Sequence, residues 1–222
     1  MRAAHYCAAR IFPGRVVAMT NGQPGLRERK KAATREALSW AALRLAVERG
    51  LENVRVEDIA AAAGVSPRTY NNYFSSKAEA IVFRHRSRIL RAAEALRARP
   101  AAEPLWEALT QALVEPFDGA EETPDPAWVT AVRLLLREPS LQAELIRGGA
   151  RTRAELTAAI AARTGTDAER DLYPKLVASA ALSAMQVSNE HYLSADPVVP
   201  FKSLFAEALR QLAAGLPEPS SS

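Results

Sequence analysis

Residues 56–77, Val56-Glu57-Asp58-Ile59-Ala60-Ala61-Ala62-Ala63-Gly64-Val65-Ser66-Pro67-Arg68-Thr69-Tyr70-Asn71-Asn72-Tyr73-Phe74-Ser75-Ser76-Lys77, constrain the fold of this chain more than any other stretch. A short helical run ends at Gly64, and Ser66-Pro67 restarts the chain with a serine able to cap a helix and a proline at its first position. Ala60 is small enough to let a second helix cross close to it, and Gly64 supplies a left-handed conformation that other residues adopt only at a cost. Ile59, Val65 and Tyr70 fill the small core that results. This spacing predicts a helix-turn-helix. With Tyr70 turned inward, Arg68, Thr69, Asn71, Asn72 and Tyr73 offer guanidinium, hydroxyl and amide groups, which read base edges or hold phosphates. Arg68 and Asn72 are the strongest base readers among them.

The charge distribution agrees with that reading. The net charge is +4, but residues 1–24 carry +3 and residues 25–99 hold sixteen basic against eight acidic groups, whereas residues 100–222 hold ten against seventeen. A basic first part joined to an acidic remainder fits a nucleic-acid-binding module attached to a domain that avoids nucleic acid.

Around the motif the chain reads as all-α. A first helix runs from Glu28, with Leu38, Ala42 and Leu45 on one face, and stops at Gly50. Val56–Ala63 and the stretch from Pro67 are the two short helices. A fourth starts near Ser76, where Ser76 and Glu79 form a capping box, and continues toward Pro100, long enough to link two domains. Beyond Pro100 about five more helices are punctuated at Pro116–Pro126, Pro139, Gly165 and Pro197–Pro200. No window alternates as a strand would, so no sheet is expected. Residues 1–25 read as a disordered arm, with Met19 as a second candidate start, and residues 217–222 as a frayed tail. The expected organisation is a head over 26–75 and a body over 76–216.

Residues Arg35 to Ile81 resemble the TetR family of bacterial transcriptional regulators. The likeness is carried by Ala41 to Leu45, Glu48-Arg49-Gly50, Asp58-Ile59-Ala60, Ala63-Gly64-Val65-Ser66, Thr69, Tyr73-Phe74 and Lys77. It implies a three-helix DNA-binding head, a helical effector-binding body and a homodimer. It also implies that Thr69, Tyr73 and Lys77 touch phosphates. Two positions depart from the family pattern: Arg55 stands where many members have a capping threonine, and Asn71 where many have tyrosine. Arg55 is therefore a candidate phosphate contact and Asn71 a candidate reader of adenine. Arg84, Arg86, Arg88 and Arg91 on the fourth helix fit either general attraction to DNA or a plain charged surface.

In the body, Phe201, Leu204, Phe205, Ala208, Leu209 and Leu212 form the clearest amphipathic face of the chain. Leu176, Ala180 and Ala184, with Ser179 and Ser183, give the preceding helix a face of small residues that permits close approach. The resemblance assigns both faces to a dimer interface, although burial within one chain fits them too. The resemblance also sets a ligand cavity among Trp106, Phe117, Trp128, Met185 and Tyr192, with Arg133, Gln186, Asn189 and His191 as polar candidates. Pro126 to Ile146 is similar to members resembling the mycofactocin-system regulator, which implies an acyl-CoA or another lipophilic effector.

Other classes fit poorly. The histidines at 5, 85 and 191 are scattered, and the chain lacks a zinc-protease, phosphate-loop or serine-hydrolase motif, so neither an enzyme nor a cofactor or metal protein is expected. Cys7 is the single cysteine. Apolar runs fall short of a membrane span and no signal peptide is legible, so the expected compartment is the cytoplasm. The alternative function is a helical lipid-binding or adaptor protein whose helix-turn-helix no longer binds DNA.

Overall fold

The Ala-rich periods become nine α-helices among the residues that the computed structural model describes, 25–117, 126–195 and 199–218, and no strand occurs among them. The expected N-terminal arm up to residue 24, with its Met19 start, lies outside the described residues, as do 118–125, 196–198 and 219–222. The helices are α1 (Leu26–Arg49), α2 (Val56–Ala62), α3 (Pro67–Asn71), α4 (Lys77–Ala98), α5 (Leu105–Val114), α6 (Pro126–Leu135), α7 (Pro139–Thr164), α8 (Leu172–Ser194) and α9 (Phe201–Ala213), with a 3-10 turn at Glu115–Phe117. No described helix is long and apolar enough to cross a membrane.

Two apolar cores form, and α4 runs through both. The head core gathers Leu38, Ala42 and Leu45 of α1, Ile59 and Ala60 of α2, Tyr70 of α3 and Ile81 and Val82 from the first turns of α4. The body core gathers Ile89, Ala93 and Leu96 from the rest of α4, Leu109 and Leu113 of α5, Leu156 and Ile160 of α7, Ala178 and Met185 of α8, and Phe205 and Leu209 of α9. The head core does not end at residue 75. Leu135 at the end of α6 and Leu141 at the start of α7 are buried in it, because the corner at Pro139 folds this part of the body back over the head.

Local chemistry fixes the helix ends. Ser76 Oγ accepts the Glu79 N–H at 3.0 Å, as the capping box predicts, but the Glu79 carboxylate reaches one residue further back than expected. It accepts from the N–H and the hydroxyl of Ser75, both at 2.8 Å. At the far end of α4, Arg163 of α7 is almost fully buried and donates to the carbonyls of Pro100 at 2.7 Å and Glu103 at 2.5 Å. One guanidinium thus satisfies main-chain acceptors in the α4–α5 turn, which fixes the angle between those helices.

Candidate functional site

The turn between α2 and α3 is built as the sequence demands. Gly64 sits at φ +68°, its N–H donates to Ala61 O at 3.0 Å, and the Val65 N–H donates to Ala60 O at 2.9 Å, closing the end of α2. Ser66 Oγ accepts the Thr69 N–H at 3.1 Å and lies 2.9 Å from the Thr69 hydroxyl. Tyr70 points inward with 1% of its surface exposed and donates its hydroxyl to Ser76 O at 2.9 Å. Burial pushes its pKa up to about 12, with the Glu79 carboxylate adding to the effect. Behind it, Phe74 packs between Tyr70 and Phe83. These inward anchors leave Arg68, Asn71 and Asn72 exposed and Tyr73 and Thr69 half-buried on the outer side of α3.

A groove of about 480 Å³ joins α3 to the start of α1. It is lined by Arg27, Glu28, Lys30, Lys31, Thr34, Asn72 and Tyr73, so three cations from α1 stand beside two of the outward residues predicted on α3. Arg27, Lys30 and Lys31 were not among the sequence candidates. Their signal was legible in the run Arg27-Glu28-Arg29-Lys30-Lys31, which precedes the apolar period of α1 and carries one acid among four bases. Such a surface suits a phosphate backbone, whose attraction comes from cations and is not specific to sequence.

Arg55 is exposed at the start of α2, and its N–H donates to the Asp58 carboxylate at 3.1 Å. Lys77 is differently placed from the phosphate contact that the resemblance implies. Its ammonium donates to Leu51 O and Val54 O, both at 2.7 Å, and so ties the α1–α2 connection to α4. Two of its three donors are used inside the head. Of the α4 arginines, Arg84, Arg86 and Arg88 turn toward the protein, whereas Arg91 stays exposed as on a plain charged surface. Arg84 lies 4.8 Å over Trp40, Arg88 lies 4.5 Å over Phe117, Arg86 is 3.9 Å from Glu79, and Arg91 is 2.8 Å from Glu36. Arg35 of α1 lies over Phe83 at 4.4 Å and Phe74 at 5.3 Å, and burial followed by the nearby Arg86 lowers its pKa.

In the body, the candidate ligand residues are dispersed. Phe117 meets Phe201 at 4.6 Å, and Tyr192 meets Phe201 at 6.1 Å, so these three gather in one cluster; Trp106 packs against the body core. Met185, 2% exposed, belongs to that core. Asn189 and Arg133 are half-buried, while Gln186 and His191 are exposed on the outer side of α8. Trp128 packs at 6.0 Å, tilted by 43°, against Trp40 of α1, because α6 lies across the head.

The predicted dimer faces divide. Phe205 is 0% exposed and Ala184 7% exposed within the single chain, which removes both from any surface a partner could reach. The apolar period of α9 is used largely by its own chain, with Phe201, Ala208 and Leu212 half-buried against the body core and Leu204 half-buried beside them. Leu176 remains exposed on α8, as do Leu172, Tyr173 and Val187, and Ala180 is half-buried.

Comparison with known proteins covers most of the chain. Residues 40–81 match the family described as "Bacterial regulatory proteins, tetR family", and residues 103–217 match the "MftR C-terminal domain". The chain is 38% identical over 184 residues to the HTH-type transcriptional regulator TcmR of Streptomyces glaucescens, covering 80% of this chain and 81% of that protein. Among solved structures, the fatty acid degradation regulator FadR of Bacillus halodurans superposes with a TM-score of 0.55 at 18% identity, over 84% of this chain and 97% of that one. The SmeT–triclosan complex also gives 0.55 at 18% identity, over 86% and 100%. The head motif, the helical body and these matches together establish that the chain belongs to the TetR family of bacterial transcriptional regulators.

Proposed function

We propose that this protein is a cytoplasmic repressor that binds a pseudo-palindromic operator as a homodimer and is released by a small lipophilic effector. The observation that carries the reading is the shared outer surface of α3 and the start of α1, where Asn72 and Tyr73 join Arg27, Lys30 and Lys31 in one cationic groove. In this reading α3 enters the major groove with Arg68 and Asn72 at base edges and Asn71 on adenine. Thr69, Tyr73 and Arg55 hold phosphates, and the α1 cations extend that grip along the backbone. Two heads then occupy half-sites roughly 34–36 Å apart.

The exposed apolar residues of α8, Leu172, Leu176 and Val187, support pairing through that helix, since a stripe of large apolar groups facing water marks an interaction surface. The body supports the effector reading through its aromatic cluster, and a protein of the same fold has been solved with triclosan. An acyl-CoA is one candidate of the lipophilic class. Effector binding would act through α4, which is shared by both cores, by changing the spacing of the heads. Linkage then requires that DNA weaken the effector to the same degree.

The experiment is fluorescence anisotropy of the purified protein on DNA from upstream of its own gene and its neighbours, with random DNA as competitor. Binding that survives competitor at two protomers per site is the expected result. Weak binding that is equal on all sequences would overturn the reading in favour of an adaptor.

A further inference from the structure

Arg84, Arg88 and Arg91 leave α4 at i, i+4 and i+7, so their guanidiniums share one face of the helix. One carboxylate acts on this face among the described residues, Glu36 of α1, and it is already engaged. Its Oε1 accepts from Arg91 at 2.8 Å and from the Ser87 hydroxyl at 2.9 Å. Arg84 has the face of Trp40. Arg88 is left with the face of Phe117 at 4.5 Å, and among the described residues it makes no hydrogen bond and no ion pair. A half-buried guanidinium with no carboxylate in contact among the described residues, beside two like charges, is a costly arrangement that an anion relieves. Burial, then Arg84 and Arg91, push its pKa down to about 10, so it remains charged at neutral pH.

One side of Arg88 is aromatic. Phe117 continues into Phe201 at 4.6 Å and Phe205 at 6.2 Å, and Tyr192 closes on Phe201 at 6.1 Å. A guanidinium with no anionic partner in contact among the described residues, set against a cluster of rings, is an arrangement that recognises an amphipathic acid: the rings take its apolar part and the guanidinium its charge. Glu36 contacts Arg91 and acts on Arg88 only at a distance, and the two arginines differ in surroundings as well as position. Arg91 is half exposed to water, whereas Arg88 is covered by Phe117.

We propose that Arg88 is the anion anchor of the effector site, and that the effector is an apolar molecule carrying a carboxylate or an equivalent acidic group that pairs with Arg88 beside the Phe117–Phe201 rings. This rests on the reading of the body as an effector-binding domain and names the chemical class that the domain takes. Arg88 is the residue that separates an acid from its neutral analogue, because a neutral ligand leaves the guanidinium as it is.

The test uses the full chain and two fluorescent probes of the same aromatic shape, 8-anilinonaphthalene-1-sulfonate and its uncharged parent N-phenyl-1-naphthylamine. The wild-type protein is expected to bind the sulfonate about tenfold more tightly than the neutral dye, as a charge-assisted contact predicts. Arg88→Gln is expected to bring the two affinities within about twofold by weakening the sulfonate alone, whereas Arg88→Lys keeps most of the preference. Phe117→Leu weakens both dyes. Lys30→Ala/Lys31→Ala keeps the preference, because the head groove is a separate cationic surface. The proposal is overturned if the preference persists in Arg88→Gln, if it is lost in the Lys30/Lys31 variant, or if neither dye binds. Operator binding by the unliganded protein is measured separately, so failure of the anchor and failure of the regulator reading are distinguishable.

Discussion

A lysine that opens a helix beside DNA is read from sequence as a phosphate contact, yet the Lys77 ammonium is occupied by the carbonyls of Leu51 and Val54. Those two acceptors end the connection after α1, where Gly50 already departs from helical geometry at φ +79°. Lys77→Met should therefore cost about 1–3 kcal/mol of stability by leaving the two carbonyls without their donor, measured by urea denaturation. A stability unchanged by this substitution, with a reduced salt slope of DNA binding, would instead return Lys77 to the phosphates. His85 gives a second prediction. Burial, with Arg88 of the same helix adding repulsion, holds its pKa below the ordinary 6.5. The unfolded chain binds a proton that the folded chain resists, so stability falls as pH drops below 6.5 toward the folded value. Glu79 does not confuse this window. Burial alone would raise its pKa, but Ser75, Arg86 and Arg35 bring it below 4.5, so its contribution is lost only in stronger acid. His85→Gln should flatten the fall in thermal midpoint between about pH 7 and pH 5. Neither role was legible in the sequence, because hydrogen-bond partners 23 to 26 residues away and burial between helices leave no local pattern.

Among the helices and turns, the sequence was most informative where backbone geometry leaves one solution. The α2–turn–α3 unit was legible because Gly64 must reach φ +68°, Ser66 must cap α3, and Tyr70 must turn inward. Gly64→Ala meets no side-chain obstacle, since nothing lies within 4 Å of an added Cβ, so its cost is conformational. It should amount to about 1–2 kcal/mol in the thermal or urea unfolding of the chain. A neutral result would mean that the turn relaxes without harm. The faces of longer helices were less legible. The period of α9 marked Phe201, Leu204, Phe205, Ala208 and Leu212 as apolar, but a period does not say which chain covers a face. The structure gives most of that surface to α5 and α8 of the same chain and leaves Leu172, Leu176 and Val187 of α8 exposed. The arginines of α4 escape sequence reading for a related reason: a charged residue on a helix is usually solvated, and only packing shows that Arg84 and Arg88 lie over Trp40 and Phe117.

Across the whole molecule, α4 is the spine on which the head and body cores are strung, and the α6–α7 corner crosses from one to the other. Leu141, fully buried in the head core though it belongs to α7, is the residue that reports on this joint. Leu141→Ala should cost about 2–5 kcal/mol and lower the unfolding midpoint of head and body together, read by following both cores in one melt. Two separate transitions, with only the head shifted, would show that the cores are independent. The contact of Trp128 with Trp40 runs across the same joint and gives it a fluorescence signal. DNA recognition by the α1–α3 groove is decided by the salt dependence of operator affinity, measured for the wild-type chain and for Lys30→Ala/Lys31→Ala. The expected outcome is sequence-specific binding whose log-affinity slope against log salt falls by about 0.9 for each phosphate the variant no longer neutralises, with discrimination over random DNA retained. An unchanged slope, or binding indifferent to sequence in the wild type, would contradict a phosphate grip by these lysines beside a base-reading α3.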